Sequence, residues 1–204
     1  MTWTDEQIAV VNATLIPKGR ERQRAVELPQ SPHGTLPSGM LDFRYFPLSR
    51  ASSVIISNAD FSKSRSPNNA YGVDQSIMLT WAQCDRVVFD GARVFHRIDG
   101  RFNNCSFLRI GTEHCALVGT FTDCDFTGTS FRSAHLKANF VRCKFHQCKM
   151  NVASWGSSFD ECEFSGALIN PLFANIRDLA LSANKVTFAV LAHKVHPGET
   201  RQIT

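Results

Sequence analysis

The 204 residues carry 22 Lys and Arg against 18 Asp and Glu, a net charge of +4. That is too mild for a strongly electropositive nucleic-acid binder and equally for a strongly acidic protein. No apolar run is long enough to cross a bilayer, so neither a membrane nor direct nucleic-acid contact is expected. The opening "MTWTDEQIAV" lacks the basic and apolar regions of a secretion signal. Seven cysteines, an odd number without disulfide spacing, then point to free thiols in a reducing cytoplasm.

Residues 1–40 show no repeat. Within them, Thr4 followed three positions later by Gln7 predicts a short capped helix over "TDEQIAVVNATLI". The basic run "KGRERQR" (Lys18 to Arg24) reads as solvated surface in preference to a nucleic-acid grip. "LPQSPHGTLPSG" is a Pro/Gly/Ser-rich connector. From residue 41 onward the chain takes on a repeat, interrupted by the insert "SRSPNNAYGVDQ".

The repeat is clearest after residue 101. Phe102, Phe121, Phe140 and Phe159 recur every 19 residues, as do Phe107, Phe126, Phe145 and Phe164, and Cys105, Cys124, Cys143 and Cys162. Within one unit a small residue precedes a large apolar one by two: Cys124 before Phe126, Thr129 before Phe131, Ala134 before Leu136, Ala138 before Phe140. Residues two apart share one side of an extended segment, so both members of each pair are expected to face inward. The large residues step by 5, 5, 4 and 5, which gives four short sides per coil. Stacked coils would pair as parallel strands about 4.8 Å apart. The predicted fold is therefore all-β: a four-sided parallel β-helix over residues 41–178, with the helical segment before it and residues 179–204 as a C-terminal cap or dimerisation tail.

These residues resemble the pentapeptide-repeat family, whose motif is A(D/N)(L/F)xx. "NADFS", with Ala59, Asp60 and Phe61, is close to it. "CDFTG", "TSFRS", "AHLKA", "CKFHQ", "CKMNV", "CEFSG" and "GALIN" are similar to its looser form. The resemblance covers roughly Val54 to Asn170 and implies a right-handed quadrilateral β-helix. This chain departs from the family in its 19-residue coil, its many cysteines, the insert and the long non-repeat start.

The stretch "VRCKFHQCKM" shows what the repeat does to apparent chemistry. Cys143 and Cys148 are the small inward members of consecutive sides, and His146 points outward. Zinc needs ligands converging at about 2.0–2.3 Å on one ion, which this alternation forbids. The cysteines are read as packing residues, and no metal or cofactor is expected.

Charges flanking the cysteine column alternate in sign from coil to coil: Asp123 and Asp125, then Arg142 and Lys144, then Glu161 and Glu163, with Glu113 and Arg132 also one coil apart. Two readings stay open, a register device and a mixed-charge partner surface formed by Asp123, Asp125, Arg132, Arg142, Lys144, Glu161 and Glu163. No paired carboxylates, phosphate loop or nucleophile–base spacing appears, and His96, His114, His135 and His146 fall in different repeat phases. The expectation is a non-enzymatic protein-interaction scaffold that neutralises or regulates a protein partner, for example a cytoplasmic bacterial immunity protein against a toxin. The resemblance implies an alternative: protection of topoisomerases such as DNA gyrase by imitating DNA, as in quinolone resistance. Between Cys84 and Asp178 there are 11 Lys and Arg against 10 Asp and Glu, which weakens DNA mimicry. A homodimer through the C-terminal tail is a further expectation.

Overall fold

The computed structural model describes residues 2–16, 26–67, 76–93, 95–169 and 188–190. The basic run at residues 18–24, most of the insert and nearly all of the C-terminal tail lie outside the described residues. Among the described residues one helix, α1 (Asp5–Leu15), precedes thirteen strands. These are β1 (Val26–Glu27), β2 (Leu41–Asp42), β3 (Arg50–Ser52), β4 (Val54–Asp60), β5 (Ile77–Val88), β6 (Phe95–Asn103), β7 (Ala116–Thr122), β8 (His135–Val141), β9 (Lys149–Met150), β10 (Ser154–Trp155), β11 (Ser158–Asp160), β12 (Ala167–Ile169) and β13 (Phe188–Val190). The main sheet runs β1–β4–β5–β6–β7–β8–β10, and every strand pair named in it is parallel. A smaller parallel sheet joins β13, β12 and β9, so residues 188–190 pair with their own chain.

The predicted four-sided β-helix is observed, with the alternation read from the sequence. Cys124, Phe126, Thr129, Phe131, Ala134, Leu136, Ala138 and Phe140 are all buried. Left-handed residues turn the corners: Asn104, Arg109 and His114 have φ of 51°, 53° and 56°. They divide one coil into sides A (residues 105–108), B (110–113) and C (115–118), and a shorter side D (120–122) follows. Each such corner costs a non-glycine residue roughly 1–2 kcal/mol of local strain, which stacking must outweigh.

Stacking is provided by two aromatic columns. On side A, Phe43, Phe61, Phe89, Phe107, Phe126, Phe145 and Phe164 lie face to face, with successive ring centroids 4.9, 5.9, 5.2, 4.9, 5.2 and 5.1 Å apart. On side D, Phe102, Phe121, Phe140 and Phe159 are 4.8, 5.1 and 4.9 Å apart. The columns meet edge to face, as for Phe126 and Phe140 at 5.8 Å and 86°. Each ring contributes roughly 1.5–3 kcal/mol by burial, and ring pairs add about 0.5–1.5 kcal/mol.

The side A column reaches further back than the 19-residue rhythm. Register intervals are 28 between β4 and β5 (Ala59 with Val87) and 18 across Cys84 and Phe102. The insert therefore lengthens one coil without disturbing the stack. At the N-terminal end, Trp3 stacks on Phe43 at 5.9 Å and donates its indole N–H to the Arg44 carbonyl at 3.0 Å. Helix α1 adds buried Val11 and Leu15 to the same core. Its predicted capping box is present: Thr4 Oγ1 accepts from Gln7 N–H at 3.2 Å, and Gln7 Oε1 accepts from Thr4 N–H at 3.1 Å.

The nineteen-residue coil has a local cause at the corner between sides C and D. In the earlier coils Ser53 and Trp81 occupy it as left-handed residues, φ 55° and 52°. In β6, β7 and β8 that residue is gone, and one continuous strand bends through Gly100, Gly119 and Ala138, which are paired in register with Ala82. A Cβ on Gly100 would lie 1.9 Å from the Ala82 carbonyl oxygen, and one on Gly119 would lie 2.1 Å from that of Gly100. Gly119→Ala is therefore expected to lower unfolding free energy by at least about 2 kcal/mol in urea titration. Gly156→Ala, where the nearest atom is 3.7 Å away, is expected to change it by less than about 0.5 kcal/mol. Equal effects would contradict this account of the bend.

Candidate functional site

The sequence-selected charges separate into two kinds of position. Asp123, Arg142 and Glu161 are left-handed corner residues, φ 53°, 50° and 52°. Arg142 grips Asp123 with Nε donating to Oδ1 at 2.7 Å and Nη2 to Oδ2 at 2.8 Å. The guanidinium holds the Asp123 carboxyl below its ordinary range. Arg132 pairs with Glu113 at 3.3 Å on side B. Both pairs are well exposed, where solvent screening leaves an ion pair little net stabilising effect. Asp125, Lys144 and Glu163 stand on the flat of side A, bridged in parallel register. There Glu163 is approached by His146, whose Nε2 lies 3.1 Å from Oε2, while His146 Nδ1 accepts from Ser165 N–H at 3.2 Å. The imidazole is thus turned outward and held away from both neighbouring thiols.

Side A also carries acidic residues that a coil-by-coil charge count hides. Its outward row runs Asp42, Asp60, Val88, Ser106, Asp125, Lys144, Glu163. The aspartates have local work. Asp60 accepts Ser62 N–H at 2.8 Å, Asp125 accepts Thr127 N–H at 2.9 Å, and Asp42 accepts Arg44 N–H at 3.2 Å. An acid between the small and large inward residues satisfies a corner N–H two positions on, a physical reason for Asp60 in "NADFS". Arg44 pairs with Asp42 at 2.8 Å and lowers its carboxyl. Asp90, in the next outward row, accepts Ser106 Oγ–H at 2.6 Å and Leu108 N–H at 2.9 Å. Burial pushes its carboxyl up, against those two bonds. It lines a groove of about 390 Å³ with Lys63, Gly91 and Arg109. Sequence reading missed Asp90, whose only mark is the Asp–Gly turn pair in "FDGAR".

All seven thiols are free and buried. Each column thiol donates to a carbonyl one coil down: Cys105 to Cys84 at 3.6 Å, 21 residues earlier, and Cys124 to Phe102 at 3.4 Å, Cys143 to Phe121 at 3.3 Å and Cys162 to Phe140 at 3.5 Å, each 22 residues earlier. On side B, Cys148 reaches the Phe126 carbonyl at 3.0 Å, where Thr129, one coil earlier, bonds the Phe107 carbonyl at 2.8 Å. Thiol and hydroxyl are interchangeable here because both are small and both donate. Cysteine differs from alanine at these positions in donating its S–H to a carbonyl one coil down.

Burial raises the Cys84 and Cys115 thiols and pushes Cys148 up to about 12. A raised folded pKa favours the protonated form, so the associated stability is complete below the unfolded thiol pKa near 8.5. It is lost as pH rises through that value toward the folded one. Denaturant midpoints are expected to be flat from pH 6 to 8 and to fall above about pH 9. In the folded protein no thiol is expected to react with Ellman's reagent at pH 8, with all seven titrating after unfolding. Rapid labelling of folded protein would contradict the packing role.

No family model matches the sequence, and no curated protein matches it. Among solved structures, the chain is similar to trypsin-treated QnrB1, a plasmid-mediated fluoroquinolone resistance protein. The likeness has 15% sequence identity and a TM-score of 0.25, and covers 85% of this chain and 88% of that chain.

Proposed function

We propose that the protein is a non-enzymatic scaffold of the pentapeptide-repeat type that binds and regulates another protein. One observation carries the reading: the outward side chains stand in fixed rows on a core locked by two aromatic columns. A surface held in place before binding loses little freedom on docking, and extended solenoid faces suit large partners. No described helix is long and apolar enough to cross a membrane. The compartment assigned by this reading is the cytoplasm, where the buried thiols stay reduced.

Two partners are distinguished. The first is a toxin or other specific protein that this chain neutralises. The second is a topoisomerase, and Asp60, Asp125 and Glu163 on side A, with Lys144 among them, favour it as a partly acidic outline within a near-neutral rod. QnrB1 is named for fluoroquinolone resistance, so the same assay addresses both the row and the name. Supercoiling by DNA gyrase is measured with and without a fluoroquinolone at micromolar protein, alongside affinity purification with mass spectrometry. Protection or inhibition of gyrase is the result expected of the topoisomerase reading. An inert assay with a stoichiometric co-purified protein identifies the first reading. Recovery of no protein partner together with an inert gyrase assay would overturn the scaffold proposal. Light scattering tests the expected homodimer, and a monomer at high concentration removes it.

A further inference from the structure

Loss of the corner residue between sides C and D leaves a trough of about 340 Å³. It is lined by Gly100 and Gly119, by Gln83, Arg101 and Thr120, and at one end by Trp81. Trp81 is the last residue to occupy that corner before the strand begins to bend through glycine. It is 68% exposed, the most exposed of the large apolar side chains among the described residues. Its φ of 52° is a left-handed conformation that bulky side chains avoid and asparagine or glycine tolerate. At the same corner one coil earlier the residue is Ser53, φ 55°. Most left-handed corners among the described residues carry polar or charged side chains, such as Ser53, Arg109 and Arg142, and apart from Tyr45 only Trp81 sets a large aromatic group in water there.

The charge beside the indole identifies what fits. Arg101 makes no ion pair among the described residues, whereas Arg97 on the adjoining side is tied to Asp99 at 2.8 Å. Tryptophan and arginine are the residue types that concentrate binding energy at protein interfaces. A nucleic-acid strand is the poorer fit, because successive bases need successive stacking platforms and, among the described residues, Trp81 is the only aromatic one lining the trough.

We propose that the Trp81–Arg101 trough is the docking site for an acidic segment of a partner protein, with a carboxylate set against Arg101 and an apolar side chain against the indole. The proposal rests on the scaffold reading and deepens it. The test selects a displayed random-peptide library on the full-length protein and compares binding to Trp81→Asn, Arg101→Gln and, as a remote control, Arg132→Gln. Peptides rich in Asp and Glu with an apolar residue are expected, with affinity reduced about 30-fold by either trough substitution and unchanged by Arg132→Gln. Trp81→Asn is expected to melt at or above the wild-type temperature, since asparagine accepts the left-handed corner.

Enrichment of no acidic peptide, or equal binding to wild type and Trp81→Asn, would overturn the proposal. So would a Trp81→Asn protein that melts several degrees lower, because the indole would then be structural. Trp81-dependent binding of an oligo-dT strand, or Trp81-dependent self-association in sedimentation, would replace the partner protein by nucleic acid or a second copy. A protein partner that co-purifies equally with wild type and Trp81→Asn leaves the scaffold reading standing while the trough falls. Recovery of no partner with either counts against both.

Discussion

The structure depends on like side chains lying on like side chains at the spacing of paired strands. Phe107, Phe126 and Phe145 hold their centroids 4.9 and 5.2 Å apart with planes within 5°. That separation suits both ring stacking and parallel backbone pairing, so the two reinforce each other in every coil. The left-handed corners, individually unfavourable, are tolerated because each one returns the chain to this register. Substitutions are absorbed by equivalence of role. Thr129 and Cys148 make the same bond to a carbonyl one coil down, and Cys84 occupies a position that Phe102 fills in the next coil.

The same constraint explains how the surface acquires function. Once inward positions are fixed, outward positions form rows whose chemistry is free to vary. On side A the rows hold aspartates that satisfy corner N–H groups, so an acidic face arises from the needs of the backbone before any partner is considered. At the corner between sides C and D the opposite happens. The backbone dispenses with a residue, Gly100 and Gly119 take positive φ where a Cβ would strike the neighbouring coil, and the gap beside Trp81 is left open.

Much of this was legible in the sequence wherever the interval was constant. From Phe102 to Phe164 every coil has 19 residues, and the phenylalanine and cysteine columns, their burial and the outward turn of His146 follow from it. Earlier coils were obscured because the interval changes to 18 and 28, which conceals Phe43, Phe61 and Phe89 from any fixed-period reading. Sign alternation among Asp123, Arg142 and Glu161 was visible, but which charges close into pairs was not. Closure depends on whether a residue turns the corner, as Asp123 and Arg142 do, or stands on the flat, as Asp125 and Lys144 do. Trp81 could not be singled out because its oddity appears only when its coil is set in register with the next.

The rod stands on its continuous aromatic columns. The most direct test is the urea unfolding free energy of Phe126→Ala, at the middle of the side A column and fully buried. Removing this ring is predicted to lower that free energy by about 3–5 kcal/mol in one cooperative transition. A loss below about 1 kcal/mol would show that the columns are not what holds the coils together.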